Sequence, residues 1–410
     1  MERFTGLIGI VLILGIAFAM SNNRKAINLR TVGVGLGLQA GLAVFILKTA
    51  AGKNLFSIIG NYVKKLLDLA DKGGDFVFGP LVSRAMLNRA FGQETIFFFK
   101  IIPTIIFVAV LVNIFYHLGV MQRVVAVLAR VMKWLMGVSG AEALSNVSSA
   151  FVGQVEAQIM VKPYINTMTN SELMASMTGS FACIAGGVMA IYISFGIPAE
   201  YLLAASLMAA PGALVISKIV YPETQVSETQ GTVKLEISKT HANLLDAIAA
   251  GASEGLKIGL NVVAMLIGFI ALIALVDLLL GKFGSLVGFP ILSLNFLLGK
   301  LFSIFAWAMG VPSKDVETAG SLMGTKMVVN EFVAYLELTK LKATLDPKTV
   351  AITSFALCGF ANFSSIAIQV GGIGELAPKR RSDLAKLGFK ALICGTLASY
   401  MSATLAGLLL

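Results

Sequence analysis

Two glutamates stand out because each lies in a polar stretch of an otherwise apolar chain. Glu156 follows Gln154 within a Gly-Gln-Val-Glu sequence, and Glu331 directly follows Asn330. A charged side chain at membrane depth costs at least about 2.5 kcal/mol, so such residues are rare and usually functional. Each glutamate is joined by an amide side chain that both donates and accepts hydrogen bonds. This combination favours recognition of a neutral solute rich in hydroxyl and amide groups.

Other roles for the two carboxylates stay open at this point. They could cap helix ends or pair with a buried lysine such as Lys162 or Lys326. As general acid and base they could serve an intramembrane enzyme, but the sequence offers no nucleophile–base pair and no metal cluster. We therefore expect neither an enzyme nor a cofactor. No Gly-x-x-x-x-Gly-Lys-Ser/Thr stretch occurs either, which argues against an ATP-driven pump. An uncoupled channel is a further alternative.

A third polar cluster lies at 359–365, within an apolar run. Asn362 and Ser365 are three residues apart and share one face wherever the segment is helical. Gly359 and the flanking phenylalanines, Phe360 among them, would let the helix unwind and a planar ring stack. The alternative is that the asparagine and serine join neighbouring helices by hydrogen bonds.

Long apolar runs must position these polar groups. Of the 410 residues 57% are hydrophobic and 13% are charged, with a mean hydropathy of +0.85, whereas soluble domains carry about 25% charged residues. Spans of about 20 apolar residues cross a hydrocarbon core. The sequence predicts an all-α polytopic membrane protein with about eight transmembrane helices. The runs without a charged residue are Phe4–Met20, Thr31–Leu47, Ile101–His117, Met174–Ile197, Tyr201–Ser217, Ile258–Val276, Val350–Ile373 and Ala391–Leu410.

Basic residues between the runs set the expected orientation. The net charge of +10 resides in loops, so we expect membrane lipid and no nucleic acid as a partner. By the positive-inside rule, the loops after the first run and before the last face the cytoplasm. Both chain termini are therefore expected outside. The basic residues of these two loops are Arg24, Lys25, Arg30, Lys379, Arg380, Arg381 and Lys386.

Two amphipathic segments, 55–72 and 120–137, are expected to lie at the membrane interface. In each of them apolar residues recur at helical spacing opposite a charged face, as in a helix that lies in the headgroup plane. We expect both to serve as packing elements. The charged faces carry Lys64, Lys65, Asp68 and Asp71 in the first segment and Arg123, Arg130 and Lys133 in the second.

Two other apolar segments, 144–161 and 302–330, are too short and too polar to span. Such segments are tolerated at membrane depth only where they are buried in protein or line an aqueous cavity. Interrupted segments in corresponding halves of a chain point to a transporter's binding site. Here a Ser-Phe-Ala triplet begins 24 residues after Glu156, and another begins 23 residues after Glu331. We interpret the two halves as an internal structural repeat.

The chain divides accordingly into four parts. The expected parts are 1–95, with N-terminal spans and an interfacial helix on the scaffold side; 96–220, a first repeat with hairpin 1 at about 120–162; 221–300, a loop, a scaffold span and a connecting interfacial segment; and 301–410, a second repeat with hairpin 2 at about 301–330.

Several motifs in fixed order resemble the signatures of concentrative nucleoside transporters. The likeness covers roughly residues 95–410, and multi-residue matches over such a length are specific, unlike a lone short motif. The matching stretches are Gly153-Gln154-x-Glu156-Ala157, 330–335 and 356–365, with further likeness at 103–107, 116–119, 162–164, 192–196, 371–374 and 380–384.

The resemblance implies a homotrimer in the plasma membrane, the inner membrane of a bacterium, that carries nucleosides together with a cation. In each protomer two inverted repeats, each with a re-entrant helical hairpin, would form a transport domain that slides past a scaffold. Because Val155 stands where threonine is usual, a nucleobase or a modified nucleoside is the alternative substrate. The residues implied on the nucleobase side are Gln154, Val155, Glu156 and Val188, and those on the ribose side are Glu331, Asn362 and Ser365, with Phe360 nearby.

The sequence departs from the family pattern where the resemblance implies a sodium ion. That site would lie between hairpin 1 and the following span, at Ser149, Cys183 and the carbonyls of Val152 and Ile184. Members usually carry asparagine and serine at the first two positions, and proline where this chain has Gln158. Sodium prefers oxygen ligands, as Ca²⁺ and Mg²⁺ do, so a thiol is a poor substitute. We expect a degenerate sodium site.

The coupling ion is therefore open between H⁺ and Na⁺. Burial favours the neutral form of a carboxyl group, so protonation of Glu156 or of Glu331 is our leading hypothesis for the driving force. The alternative is a sodium ion held by backbone carbonyls, Ser149 and water.

Overall fold

The computed structural model describes residues 2–91, 96–230 and 241–410. Within these ranges all regular structure is helical, as the sequence predicts. The expected loop after residue 221 falls partly on 231–240, outside the described residues. The α-helices are α1 (Glu2–Ala19), α2 (Leu29–Lys48), α3 (Ala50–Phe78), α4 (Arg84–Phe91), α5 (Phe97–His117), α6 (Val120–Met136), α7 (Gly140–Ser149), α8 (Glu156–Ile159), α9 (Lys162–Ile165), α10 (Asn170–Ala182), α11 (Gly186–Ser194), α12 (Ala199–Val220), α13 (Leu244–Leu286), α14 (Leu294–Ala308), α15 (Val316–Val328), α16 (Glu331–Leu341), α17 (Pro347–Leu357), α18 (Phe363–Leu376) and α19 (Arg381–Leu409).

Six helical stretches of the described chain are long and apolar enough to cross a membrane. They comprise α2, α5, the α10–α11 pair, α12, α13 and the stretch that contains α19. The first predicted run forms α1, whose apolar part is the shorter Thr5–Ala19. The seventh predicted run, Val350–Ile373, is divided between α17 and α18. All eight predicted runs are thus helical, although not all are continuous.

Two of the predicted spans are broken near their middle. Cys183–Ala185 separates α10 from α11, and Cys358–Asn362 separates α17 from α18. The second break contains Gly359, and this glycine is the sequence feature that predicts the break. The first break lies within the uncharged run Met174–Ile197, which the sequence predicts as one continuous span, and the pair Gly186-Gly187 follows it directly.

The two breaks meet in the interior and satisfy each other's backbone groups. The backbone N–H of Phe360 donates to the carbonyl of Cys183 at 3.3 Å. The Ser399 hydroxyl of α19 lies 2.8 and 3.4 Å from a carbonyl oxygen at each break. Gly359 has a φ of +134°, and an added Cβ would lie 2.7 Å from the carbonyl oxygen of Ala182. Glycine is therefore required at the crossing.

Each predicted hairpin is a pair of packed helices. In hairpin 1, α6 turns into α7 at Gly137, and in hairpin 2, α14 turns into α15 at Gly310. Both glycines have positive φ, at 66° and 87° respectively. Short helices follow the two hairpins, and Glu156 and Glu331 are their first residues. Each glutamate thus begins the helix that follows its hairpin, and the internal repeat itself stays a prediction.

Both amphipathic segments are helical. In α3 the buried residues include Phe56 and Leu67, while Lys64 and Lys65 are exposed. In α6 one face is likewise buried, and Arg130, one of the basic residues of this helix, is exposed. The location of these helices at a membrane surface stays a prediction.

The long helix α13 packs against α5 through small residues. It has 43 residues, and an added Cβ at Gly255 would lie 2.6 Å from the Cα of Ile106. Only 6% of its most apolar 18-residue stretch is buried inside the single chain. The other faces of α13 are therefore available to lipid or to another chain.

Candidate functional site

Glu331 lies at the start of α16, beside the break between α17 and α18, and is 5% exposed. The Tyr192 hydroxyl donates to its Oε1 at 3.1 Å, and the Asn362 amide donates to its Oε2 at 3.0 Å. No ion pair to Glu331 occurs in the described chain. Lys326 instead donates to the carbonyl of Ala356 at 2.9 Å. The carboxylate is therefore held by neutral donors.

Asn362 and Ser365 connect this carboxylate to the first repeat. The Oδ1 of Asn362 caps α18 by accepting from the backbone N–H of Ser365 at 2.9 Å, which leaves its amide N–H groups for Glu331. The Oγ of Ser365 lies 3.5 Å from the Nε2 of Gln154. Gln154 also accepts from Gln369 at 3.4 Å. Glu331, Asn362 and Ser365, predicted on the ribose side, are thus joined by one polar path to Gln154, predicted on the base side.

A cavity of 410 Å³ opens beside this path, within the usual size range of small-molecule sites. Val155 also packs on α18, since an added Cβ at Gly372 would lie 2.7 Å from its Cγ2. The opposite wall comes from α5 and α13. The predicted residues that line the cavity are Gln154, Val155, Glu156, Val188 and Phe360, and the opposite wall includes Asn113, Tyr116, Glu254 and Ile258.

The setting of Glu156 differs from the expectation of two buried carboxylates. Glu156 is exposed and lines the cavity, and it forms no ion pair with Lys162 or any other described residue. It starts a single helical turn after irregular backbone. Its carboxylate folds back over Gly153, where an added Cβ would lie 1.9 Å from Oε2. The carboxylate thus lies against Gly153 at the edge of the cavity.

The residues expected for a sodium site lie where hairpin 1 meets the α10–α11 break. Val152, Cys183 and Ile184 are buried in irregular backbone. The Ser149 hydroxyl donates to a carbonyl one turn back at 2.9 Å. The Cys183 thiol is directed at a carbonyl of α12, with its Sγ 3.9 Å from that oxygen. Among the four residues expected to hold sodium, the oxygen donors are one hydroxyl and two backbone carbonyls, and the Cys183 thiol is a poor ligand for a hard cation.

Sequence reasoning assigned no role to several residues of the site. Gln369 lies four residues after Ser365 on the same helical face, a spacing that could have identified it. Tyr192 gives no such signal, because it reaches a carboxylate 139 residues away. Asn113 donates to Glu254 at 2.9 Å across the contact between α5 and α13. The local sequence does not predict the contact between Asn113 and Glu254, because the two residues are 141 positions apart.

Comparison with known proteins adds three matching family models. Residues 8–81 match the "Na+ dependent nucleoside transporter N-terminus", 98–199 match "Nucleoside recognition", and 201–407 match the "Na+ dependent nucleoside transporter C-terminus". These models together cover most of the chain, including the residues before 95 to which the motif likeness did not extend.

Individual relatives span the full length. The "Uncharacterized transporter YutK" of Bacillus subtilis is 44% identical over 100% of both chains. The "Putative nucleoside permease NupX" of Escherichia coli is 40% identical over 99% of both. A solved structure of CNTnw in an inward-facing substrate-bound state is 41% identical, with a TM-score of 0.95 over 100% of this chain and 98% of that one. The chain therefore belongs to the concentrative nucleoside transporter family, whose members are membrane transporters and not enzymes.

Proposed function

We propose that this protein is a secondary active symporter that imports nucleosides together with a cation. Its family membership supports nucleosides as the substrate class. The arrangement around Glu331 carries the proposal, because its chemistry matches the ribose that all ribonucleosides share.

Glu331 is proposed to accept hydrogen bonds from two ribose hydroxyls. An ionised carboxylate has about four acceptor sites on its two oxygens. Tyr192 and Asn362 occupy one site on each oxygen, which leaves one on each for a ligand. A free base lacks the two hydroxyls and would leave a buried acceptor unpaired, a situation against which binding sites discriminate strongly.

The base is proposed to occupy the 410 Å³ cavity. Gln154 offers an amide beside Ser365, and Glu156 offers an acceptor that no described residue occupies. Phe360 and Val188 supply apolar surface for a planar ring. Val155 makes the wall apolar where a threonine would offer a hydroxyl, so a nucleobase or modified nucleoside is the second candidate substrate.

The proposed coupling ion is the proton. The matching family models are described as Na+ dependent, but of the four residues expected to hold sodium only Ser149 offers a side-chain oxygen, and Cys183 offers a thiol. The candidate proton carriers are Glu331, which is buried, and Glu156, which faces the cavity. The alternative is a sodium ion on the carbonyls of Val152 and Ile184, with Ser149 and water.

An elevator-like movement is proposed for transport. In it, the two hairpins and the two broken helices move together past a scaffold that includes α5 and α13. The cavity lies between these two groups of helices, where such movement would expose it to either side. We further propose a homotrimer in the bacterial inner membrane, with both termini outside.

A substrate-by-ion uptake panel tests this function. Purified protein in proteoliposomes would be offered labelled uridine, adenosine and uracil, with an inward gradient of protons, of sodium or of neither. We expect concentrative uptake of a nucleoside under a proton gradient without sodium, abolished by a protonophore. Uptake of uracil alone would contradict the ribose assignment. Uridine uptake driven by sodium without a pH gradient would contradict proton coupling.

A further inference from the structure

A buried glutamine joins hairpin 1 to the first broken span. Gln158 is 1% exposed. Its Nε2 donates to the Oγ of Ser145 at 3.0 Å and to the Oγ of Ser180 at 2.8 Å, while its Oε1 accepts from Ser176 at 2.5 Å. Ser145 belongs to α7 of hairpin 1, whereas Ser176 and Ser180 belong to α10. A single amide therefore ties three segments together with its hydrogen-bonding groups satisfied.

The same amide reaches the candidate site through one hydroxyl. Ser180 accepts from Gln158 and donates to the backbone carbonyl of Gln154 at 3.0 Å. Ser149 lies 3.2 Å from Ser180 and completes the group. We call these residues, Ser145, Ser149, Gln158, Ser176 and Ser180, the serine–glutamine cluster. Through it, Gln158 fixes the backbone that presents Gln154 and Glu156 to the cavity.

The cluster adjoins the region where the family would place a cation. Hydroxyl oxygens from α7 and α10 converge there, and such oxygens are ligands that a hard cation prefers. In this chain the N–H groups of the Gln158 amide are directed at two of them, on Ser145 and Ser180. The amide is neutral and always present, so it braces the junction without any ion.

We propose that Gln158 is a positioning residue that fixes hairpin 1 against α10 without an ion, so that nucleoside binding is independent of sodium. This role rests on the proposed nucleoside transport, and it adds that nucleoside binding needs no sodium. Because the amide cannot take up a proton, the proposed driving proton must bind elsewhere in the molecule. The two glutamates of the site are the groups that could take it up.

Removing the amide tests the positioning role. Gln158→Leu keeps the approximate size of the side chain but removes the amide that hydrogen-bonds to Ser145, Ser176 and Ser180. We expect uridine affinity to fall roughly tenfold, since each lost hydrogen bond weakens the junction by a modest amount. The matched control is Gln39→Leu, which removes another buried glutamine amide, one that donates to Ser402 at 2.9 Å outside the cluster. Its uridine affinity should equal that of the wild type.

A second variant gives a readout that a merely structural role would not produce. Gln158→Glu places a carboxylate among hydroxyl oxygens, and a buried charge is costly without a counter-ion. At mildly alkaline pH we expect its uridine affinity to be low in choline chloride and to be restored by sodium chloride. A response to sodium in this variant alone would identify position 158 as the point where an amide replaces a cation.

Calorimetry decides whether nucleoside binding needs sodium. Binding of uridine and of adenosine to the purified full-length protein is measured in choline chloride and in sodium chloride. The wild type should bind equally in both salts, a result that requires no variant to fold. Binding of the wild type only in sodium would overturn the role of Gln158 and leave nucleoside transport standing. Wild-type affinity in a folded Gln158→Leu protein, or equal affinity of Gln158→Glu in the two salts, would also overturn it. No nucleoside binding in either salt would overturn the proposed function itself.

Discussion

At the scale of single residues, the site depends on how many acceptor positions one buried carboxylate leaves open. Glu331 receives one neutral donor on each oxygen and lies in protein that excludes water almost completely. A ligand that brings two more donors completes its hydrogen bonding, and one that brings none leaves it unpaired. Under the proposed function, substrate choice would therefore follow from the hydrogen-bond partners of Glu331.

Changing Glu331 to glutamine should sharply reduce nucleoside transport. Glu331→Gln keeps the shape of the side chain but replaces an acceptor oxygen by an NH₂ group, which faces the donors of Tyr192 or Asn362. Hydrogen bonds to charged groups contribute about 1.5–3 kcal/mol each, so uridine uptake should fall roughly tenfold to a hundredfold. Labelled-uridine uptake in proteoliposomes measures this. Glu317→Gln, at an exposed glutamate of hairpin 2, should transport normally. Unchanged uridine affinity in Glu331→Gln would show that Glu331 does not hold the sugar.

Tyr192 offers a finer test of the same carboxylate. Tyr192→Phe removes the donor to Oε1 and keeps the ring, which stacks on Tyr335 with centroids 4.3 Å apart. We expect a roughly threefold to tenfold loss of uridine affinity, the size of a single hydrogen bond. Tyr335→Phe is the matched control, because that hydroxyl donates to the carbonyl of Ser354 and not to Glu331. Equal affinities of the two variants would contradict a role for Tyr192 in orienting the carboxylate.

At the scale of helices, the binding residues are presented by interrupted elements. The breaks after α10 and after α17 cross at a backbone contact, and Ser399 contacts both. Freed backbone groups inside a membrane must find partners within the protein, so each break is stable only while the other is in place. The two repeats are therefore expected to unfold and to move together.

Substitution of Gly359 tests that crossing. Gly359→Ala would force a Cβ to within 2.7 Å of two carbonyl oxygens at a φ of +134°. Strain of this kind costs about 1–3 kcal/mol or more, so we expect a lower melting temperature and loss of uridine uptake. Thermal unfolding followed by size-exclusion chromatography measures the first effect. Gly371→Ala, where an added Cβ meets no atom within 4 Å, should behave as the wild type. If both variants melted alike, the crossing would not be essential.

At the scale of the whole molecule, a large apolar surface of α13 is exposed in the single chain. Only 6% of the most apolar 18-residue stretch of α13 is buried in the single chain. The exposed residues of this helix include Ile267, Leu275 and Leu279. Lipid can cover such a surface, and so can another copy of the chain. Family resemblance favours the second for part of it, as a homotrimer.

The trimer can be tested directly by mass. Native mass spectrometry of detergent-purified protein should give three times the chain mass of 43.3 kDa. Introducing charge on the exposed apolar surface of α13, at Ile267, Leu275 or Leu279, should shift the species to monomer if this surface forms the interface, because a desolvated charge at an apolar interface is unfavourable. A monomeric mass of the wild type in mild detergent would contradict the prediction.

The amino-acid sequence by itself determined the features that arise from local pattern. Uncharged runs of spanning length specified a helical membrane protein. Gly359 indicated the second break, and the short, polar character of segment 302–330 indicated hairpin 2. Residue types and motifs also singled out Glu331 and its ribose-side partners, since a carboxylate or amide in an apolar run is conspicuous without any knowledge of the fold.

Only the tertiary structure decided which groups meet and how they face. It broke the first span at Cys183–Ala185, within a run that the sequence predicts as continuous, and it placed Glu156 at the cavity. It also brought Tyr192 to Glu331 and the amide of Gln158 to hydroxyls on two other helices. These outcomes depend on packing between segments far apart in the chain, and local periodicity holds no information about such contacts.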